Sequence, residues 1–213
     1  MIIQFERKQY KLGRFEYQIS KENVLYGKIS LEKGEHAKIK AQSYFADTNF
    51  SLEFNTMFGP KMKEGIITKQ SAGNFNLNGE QGTIYYCGKK GSNFLNGIYY
   101  WNLQFSGVNY DVYEVGFGKK GIYYCIWSDN HLCAIISKKL HTKHFESVYT
   151  VYSEESVLDR LLIMLNVYWD ITRFYPSESS EEWHTQNTWQ KELKNKYDSS
   201  FIPRIKMMHG ISE

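Results

Sequence analysis

The sequence predicts a mainly β protein with one buried helix near its end, and three observations predict it. Segments rich in Tyr, Phe, Ile and Val, punctuated by Gly, Asn and Asp, run to about residue 152. A stretch with no Gly or Pro then runs from 157 to 174, and between Leu161 and Trp169 only Asn166 is polar. After Pro176 the chain turns polar, beginning Ser177-Glu178-Ser179-Ser180-Glu181-Glu182.

Each element follows from local pattern. Phe15-Glu16-Tyr17-Gln18-Ile19 alternates at period two, the signature of a half-buried strand. Residues 24–31, 37–41 and 50–54 read as further strands, whereas 59–82, with Gly65, Gly73 and Gly79, reads as loops with one or two short strands. The central part is clearer, with strands at 83–87, 97–105, 110–117, 122–127, 132–137 and 145–152. Gly118-Lys119-Lys120-Gly121 is a tight turn. Asp129-Asn130 suits a two-residue hairpin, because both residue types tolerate positive φ. Ile84-Tyr85-Tyr86-Cys87, Ile98-Tyr99-Tyr100-Trp101 and Ile122-Tyr123-Tyr124-Cys125 echo one another, which marks either a degenerate repeat or, more simply, the general likeness of aromatic strands.

Ser153-Glu154-Glu155-Ser156 reads as a helix start, a capping residue followed by acids at the positive end of the dipole. The helix that follows is apolar nearly all round, where a surface helix keeps a polar face. Something surrounds it, or it lies between a sheet and another element. A second helix is expected from about 181 to 197, carrying Trp183, Trp189 and Leu193, with an apolar patch at Phe201-Ile202-Pro203-Arg204-Ile205 docking on the main body.

Composition limits the function. The 213 residues carry 26 basic and 23 acidic side chains, a net charge of +3, too weak a basic excess for a nucleic-acid binder. No run approaches the roughly 18 apolar residues needed to span a bilayer, and the start Met1-Ile2-Ile3-Gln4-Phe5-Glu6-Arg7-Lys8 has no apolar signal core. Cys87, Cys125 and Cys133 are widely spaced and read as reduced, buried thiols. The expected location is therefore the cytoplasm.

The strand-turn-strand Tyr110-Asp111-Val112-Tyr113-Glu114-Val115-Gly116, Gly118-Lys119-Lys120-Gly121, Ile122-Tyr123-Tyr124, the hairpin at Asp129-Asn130 and helix 157–174 resemble the tubby C-terminal-like superfamily. That superfamily includes the LURP-one-related and phospholipid-scramblase branches. The resemblance covers residues 83–175, and the first eighty residues share with it their richness in strands. It implies a closed antiparallel β-barrel of about twelve strands around a central hydrophobic helix. On that reading residues 1–175 form the barrel with its helix at 154–174, and 176–213 form a polar, partly helical tail on the outside. Closure removes exposed sheet edges, and a barrel this wide needs a plug. The resemblance further implies a non-enzymatic module that binds an anionic ligand, such as a phosphoinositide headgroup, peripherally at a membrane. The cysteine-rich and membrane-inserting segments of the scramblase branch are absent from this sequence.

The candidate binding residues are lysines. A hairpin at Asp129-Asn130 brings Lys119 and Lys120 to the same end as Lys138 and Lys139, with His141, Lys143 and His144 in the next loop. Five lysines there suit a phosphate-rich headgroup or another anion, although turns also collect lysines simply because they are solvated. No cofactor is expected. His131-x-Cys133 and the His141/His144 pair match no zinc spacing. There is no nucleophile elbow, and Gly116-x-Gly118-x-x-Gly121 leads into a strand where a dinucleotide site requires a helix. Two other readings stand beside the anion-binding module: a protein-interaction or immunity-type regulatory module using Trp183 and Trp189, and a carrier of an apolar ligand in a lipocalin-like barrel.

Overall fold

A computed structural model describes residues 1–11, 14–22, 24–33, 39–44, 50–54, 68–90, 97–139, 141–143, 147–154, 158–173, 181–183 and 186–211. The chain is mainly β and antiparallel. In order it forms β1 (Ile2–Lys11), β2 (Arg14–Lys21), β3 (Val24–Lys33), β4 (Ile39–Tyr44), β5 (Phe50–Phe54), β6 (Thr68–Leu77), β7 (Glu80–Lys90), β8 (Gly97–Phe105) and β9 (Val108–Gly116). After a 3-10 turn at Gly118–Lys120 come β10 (Ile122–Ser128), β11 (His131–Lys138), β12 (His141–Lys143) and β13 (Ser147–Ser153). The helices are α1 (Asp159–Arg173), α2 (Lys191–Lys194) and α3 (Phe201–Met208), with β14 (Glu181–Trp183) between α1 and α2.

Strands β1 to β10 each pair with the next in sequence, and β11 passes over β12 to pair with β13. β1 has two neighbours, β2 on one side and β13 on the other. The turn at Asp129-Asn130 forms as the sequence predicts, with φ of 46° and 65°, and aligns Ile122 with Lys138 and Ser128 with His131.

The helix α1 explains its own composition. Every residue from Leu161 to Asp170 is buried. The Trp169 ring stacks on Tyr124 of β10 at 4.5 Å and meets Trp101 of β8 edge-on at 5.7 Å. Asp170 bonds to side chains of β1, β2 and β13, and Asp159 bonds to β2. Strands from distant positions in the sheet thus reach the same helix, and no residue from Leu161 to Asp170 is left exposed.

Strands β10 and β11 are largely buried on both faces, which is why they read as nearly continuous apolar runs, and β9 joins them from Val112 onward. Val112, Tyr124, Ile126 and Ile136 join the core around α1, whereas Tyr113, Val115, Cys125 and Ile135 join a second core on the opposite face. The C-terminal segment covers that second core, inserting Phe201 and Ile205, both fully buried.

Several expectations need correction. β1 went unassigned because Ile3 and Phe5 are followed at the next inward position by Arg7, a charge that breaks the apolar alternation. Residues 68–82 are strand over most of their length, since Gly73 sits at a register shift in β6 and costs the strand little there. Ser153 ends β13, with its backbone N–H bonded to the Met1 carbonyl, so it is not the cap of α1, and the helix is shorter than 154–174. Residues 155–157 and 174 lie outside the described residues, as do 37 and 38 of the expected strand 37–41 and 145 and 146 of 145–152. The expected helix at 181–197 is replaced by β14, paired with β12, and the four-residue α2. The Phe201 patch is itself helical, because Pro203 falls in the first turn, where a missing N–H costs no hydrogen bond.

Candidate functional site

The lysine end is placed largely as the hairpin requires. Ile122 lies opposite Lys138, so the turn before β10 and the end of β11 come together. Lys119, Lys120 and Lys139 are exposed there. Lys138 is not: its side chain is 1% exposed, and its ammonium lies 5.0 Å from the centre of the Tyr149 ring. It belongs to the core side of β11, with four methylenes packed among apolar neighbours. Lys143 pairs in register with Glu181, in a two-stranded ladder beside this end, and its side chain lies outside the described residues. His144 is also outside them.

A second polar centre was missed in the sequence. Arg7 Nη1 donates to Asp170 Oδ2 at 2.9 Å, Tyr17 Oη donates to the same oxygen at 3.0 Å, and Tyr149 Oη donates to Oδ1 at 2.9 Å. All four side chains are buried. Burial pushes the Tyr17 and Tyr149 phenols well above their usual pKa, and the Asp170 charge adds to the effect. Two weak signals pointed here: an arginine inside an apolar alternation and an aspartate at the end of an all-apolar helix. This centre fixes the rotation and depth of α1. It is closed to solvent, and its carboxylate already has three donors.

The third centre lies where α1 begins. Lys21 Nζ donates to Asp159 Oδ2 at 3.0 Å. Desolvation raises the Asp159 pKa, and the bond to Lys21 opposes that rise. The same hydrogen bond raises the pKa of Lys21. Lys21, Tyr26, Phe105, Asp159 and Arg160 line a pocket of about 560 Å³.

Among the described residues, no group of three or more His, Cys, Asp or Glu converges as metal ligands do. His131 instead bonds Glu154 at 2.7 Å, and the three cysteines are buried thiols outside any disulfide. Burial pushes the Cys125 thiol far above its usual pKa, which leaves it inert as a nucleophile. Among the described residues, no helix is long and apolar enough to cross a membrane.

The Trp189 side chain is 84% exposed. Trp183 sits in β14, and its side chain is outside the described residues.

No family model, no curated protein and no solved structure matches this chain.

Proposed function

We propose that the chain is a non-enzymatic binding module with the tubby-like architecture, a closed β-barrel around α1, that holds an anionic ligand at its lysine end. A pairing order that returns to its start and the contacts of α1 with β1, β2, β8, β10 and β13 support the architecture. The observation that carries the function is the register of β10 on β11, which gathers Lys119, Lys120 and Lys139 on one exposed edge. Three exposed ammonium groups suit phosphate oxygens, as on a phosphoinositide headgroup in a cytoplasmic leaflet.

Flotation with phosphatidylcholine vesicles, with and without a phosphoinositide, tests this at about 0.1 M and 0.5 M salt, because screening weakens a surface electrostatic contact. Binding should require the phosphoinositide, fall with salt, and fall again when Lys119, Lys120 and Lys139 are together replaced by Ser. Binding indifferent to the triple replacement removes the lysine end from consideration.

The protein-interaction reading has one observation in its favour, the exposed indole of Trp189. An exposed Trp is the residue type most often found at the centre of a protein interface. The apolar-carrier reading requires an empty interior, which the proposed seating of α1 inside the barrel would fill.

A further inference from the structure

The tail that covers the second core also grips the lysine turn. Phe117 bridges to Asn187, and Gly118 N donates to the Gln186 carbonyl at 2.8 Å. Gln190 Nε2 donates to the Gly97 carbonyl at 2.8 Å, and Gly97 opens β8 at the end of the sheet where Gly116 closes β9. The Tyr197 ring packs on Phe117 at 5.1 Å and on Tyr123 at 4.6 Å. Tyr123 Oη in turn donates to the Lys120 carbonyl at 2.9 Å. Whatever the tail exposes here is therefore presented at the same end as Lys119 and Lys120, with little left to order on binding.

What it exposes is an indole. Trp189 is 84% exposed, whereas Trp101 and Trp169 are buried and Trp127 is half-buried. Its neighbour Thr188 is buried, with Oγ1 accepting from Gly116 N at 2.9 Å, so the backbone is pinned while the ring stands out. Trp189 and Lys119 are each two residues from the Phe117–Asn187 bridge. Just beyond, α2 adds Lys191 and Lys194, both exposed. Between residues 186 and 196 the tail carries three lysines and one glutamate, so the surroundings of the ring are basic.

This pairing of side chains selects the partner. Protein interfaces favour Trp but are depleted in lysine, so a ring set among lysines is poorly made for one. The surface of an anionic bilayer suits both: Trp rings settle at headgroup depth, and lysines meet the phosphates. We infer that the partner of this end is an anionic bilayer, with Trp189 seated among the headgroups while Lys119, Lys120, Lys191 and Lys194 lie against lipid phosphates. The inference rests on the anion-binding reading of the lysine end and adds to it a lipid surface as the source of the anion.

Flotation with vesicles of phosphatidylcholine, phosphatidylserine and a phosphoinositide, beside calorimetric titration of soluble inositol hexakisphosphate, separates the two. Trp189→Ala should weaken vesicle binding by about tenfold, as expected for one large apolar side chain moved out of water. It should leave inositol hexakisphosphate binding and the melting temperature unchanged, and Trp189→Phe should recover part of the loss. Vesicles with brominated acyl chains should quench the native emission, and Trp189→Ala should remove that quenching. Vesicle binding that needs Lys119, Lys120 and Lys139 but is indifferent to Trp189→Ala, with no quenching, overturns the inference and leaves the lysine-end reading standing. Inositol hexakisphosphate binding without vesicle binding does the same, since the ligand is then a free anion. Binding of neither removes both. Self-association that Trp189→Ala abolishes, with vesicle binding untouched, assigns the indole to a second copy of the chain and overturns the inference.

Discussion

Arg7, on the first strand, and Asp170, near the end of α1, meet at 2.9 Å with side chains 2% and 0% exposed. They are 163 residues apart in sequence, so the pair closes nearly the whole chain into one interior contact. A buried ion pair adds little net stability against a well-packed apolar substitute, but it penalises every arrangement that leaves either charge alone. Sliding or rotating α1 by one turn would strand the carboxylate among hydrocarbon and leave Tyr17 and Tyr149 without an acceptor. The pair therefore selects one seating of the helix among several that its all-round apolar surface would otherwise tolerate.

Breaking the pair from one side should be costly. Arg7→Met or Asp170→Leu alone leaves a buried charge unpaired, and each should lower stability by about 3–5 kcal/mol in urea unfolding. The double variant should be markedly more stable than the sum of the two losses. Strictly additive losses in this cycle would mean that the two side chains do not act as a pair.

The buried phenols set an alkaline limit. Tyr17 and Tyr149 are pushed well above their usual pKa by burial and by Asp170. Burial also pushes Tyr100 and Tyr197 up to about 12. A raised native pKa means that the unfolded chain loses these protons first. Their contribution to stability is whole below the unfolded pKa of about 10 and is lost as pH rises through the native values. Urea midpoints should be flat in this respect up to about pH 9 and fall steeply above pH 10. Replacing Tyr100 and Tyr197 by Phe should flatten that fall. A slope unchanged in the double Phe variant would assign it to other groups.

Leu162 and Leu165 test how α1 is held. Both side chains are fully buried. Leu165→Ala leaves a cavity and should cost about 2–5 kcal/mol. Leu162→Asp places a charge where no partner waits and should give insoluble or unfolded protein, a loss comparable with a typical total stability of about 5–15 kcal/mol. A well-folded Leu162→Asp variant with a near-native melting temperature would mean that the helix is peripheral.

The sequence revealed elements whose pattern is local and missed contacts that only the fold creates. Asp129-Asn130 was legible because two adjacent residues that accept positive φ between apolar runs specify a turn by themselves. The buried nature of α1 was legible because no exposed helix carries a run such as Leu161 to Leu165. Arg7 was illegible as a core residue, since its partner lies at the other end of the chain and arginine alone reads as surface. Lys138 misled for the same reason: strand parity turns it inward, against Tyr149, while its position at a strand end suggested solvent. The pocket beside Asp159 gathers residues from the ends of separate strands and from α1, and no spacing in the sequence records that meeting. The second core was half visible. Continuous apolar runs in β10 and β11 announced that both faces are covered, and the apolar patch at 201–205 announced a segment that docks, but no pattern recorded that the one covers the other.

That cover depends on one glycine. Phe117 bridges to Asn187, Gly118 N donates to the Gln186 carbonyl at 2.8 Å, and Thr188 N donates to the Gly116 carbonyl at 2.8 Å. Thr188 Oγ1 accepts from Gly116 N at 2.9 Å. A Cβ at Gly116 would lie 2.2 Å from the Gln186 carbonyl oxygen, a backbone atom that cannot rotate away. Gly116→Ala must therefore displace the 186–188 segment. Downstream, Trp127 Nε1 donates to the Lys196 carbonyl at 3.0 Å, and Phe201 and Ile205 fill the second core. These contacts persist only if the tail can still reach them. Hydrogen exchange should accelerate at Gly116, Gly118 and Thr188 in Gly116→Ala, while amides of β6, whose residues take no part in the second core, stay protected. Phe201→Ala should loosen the same segment from the other end, costing about 3–5 kcal/mol by large-to-small truncation. Unchanged exchange at Gly118 and Thr188 in Gly116→Ala would show that the tail is held by the second core alone.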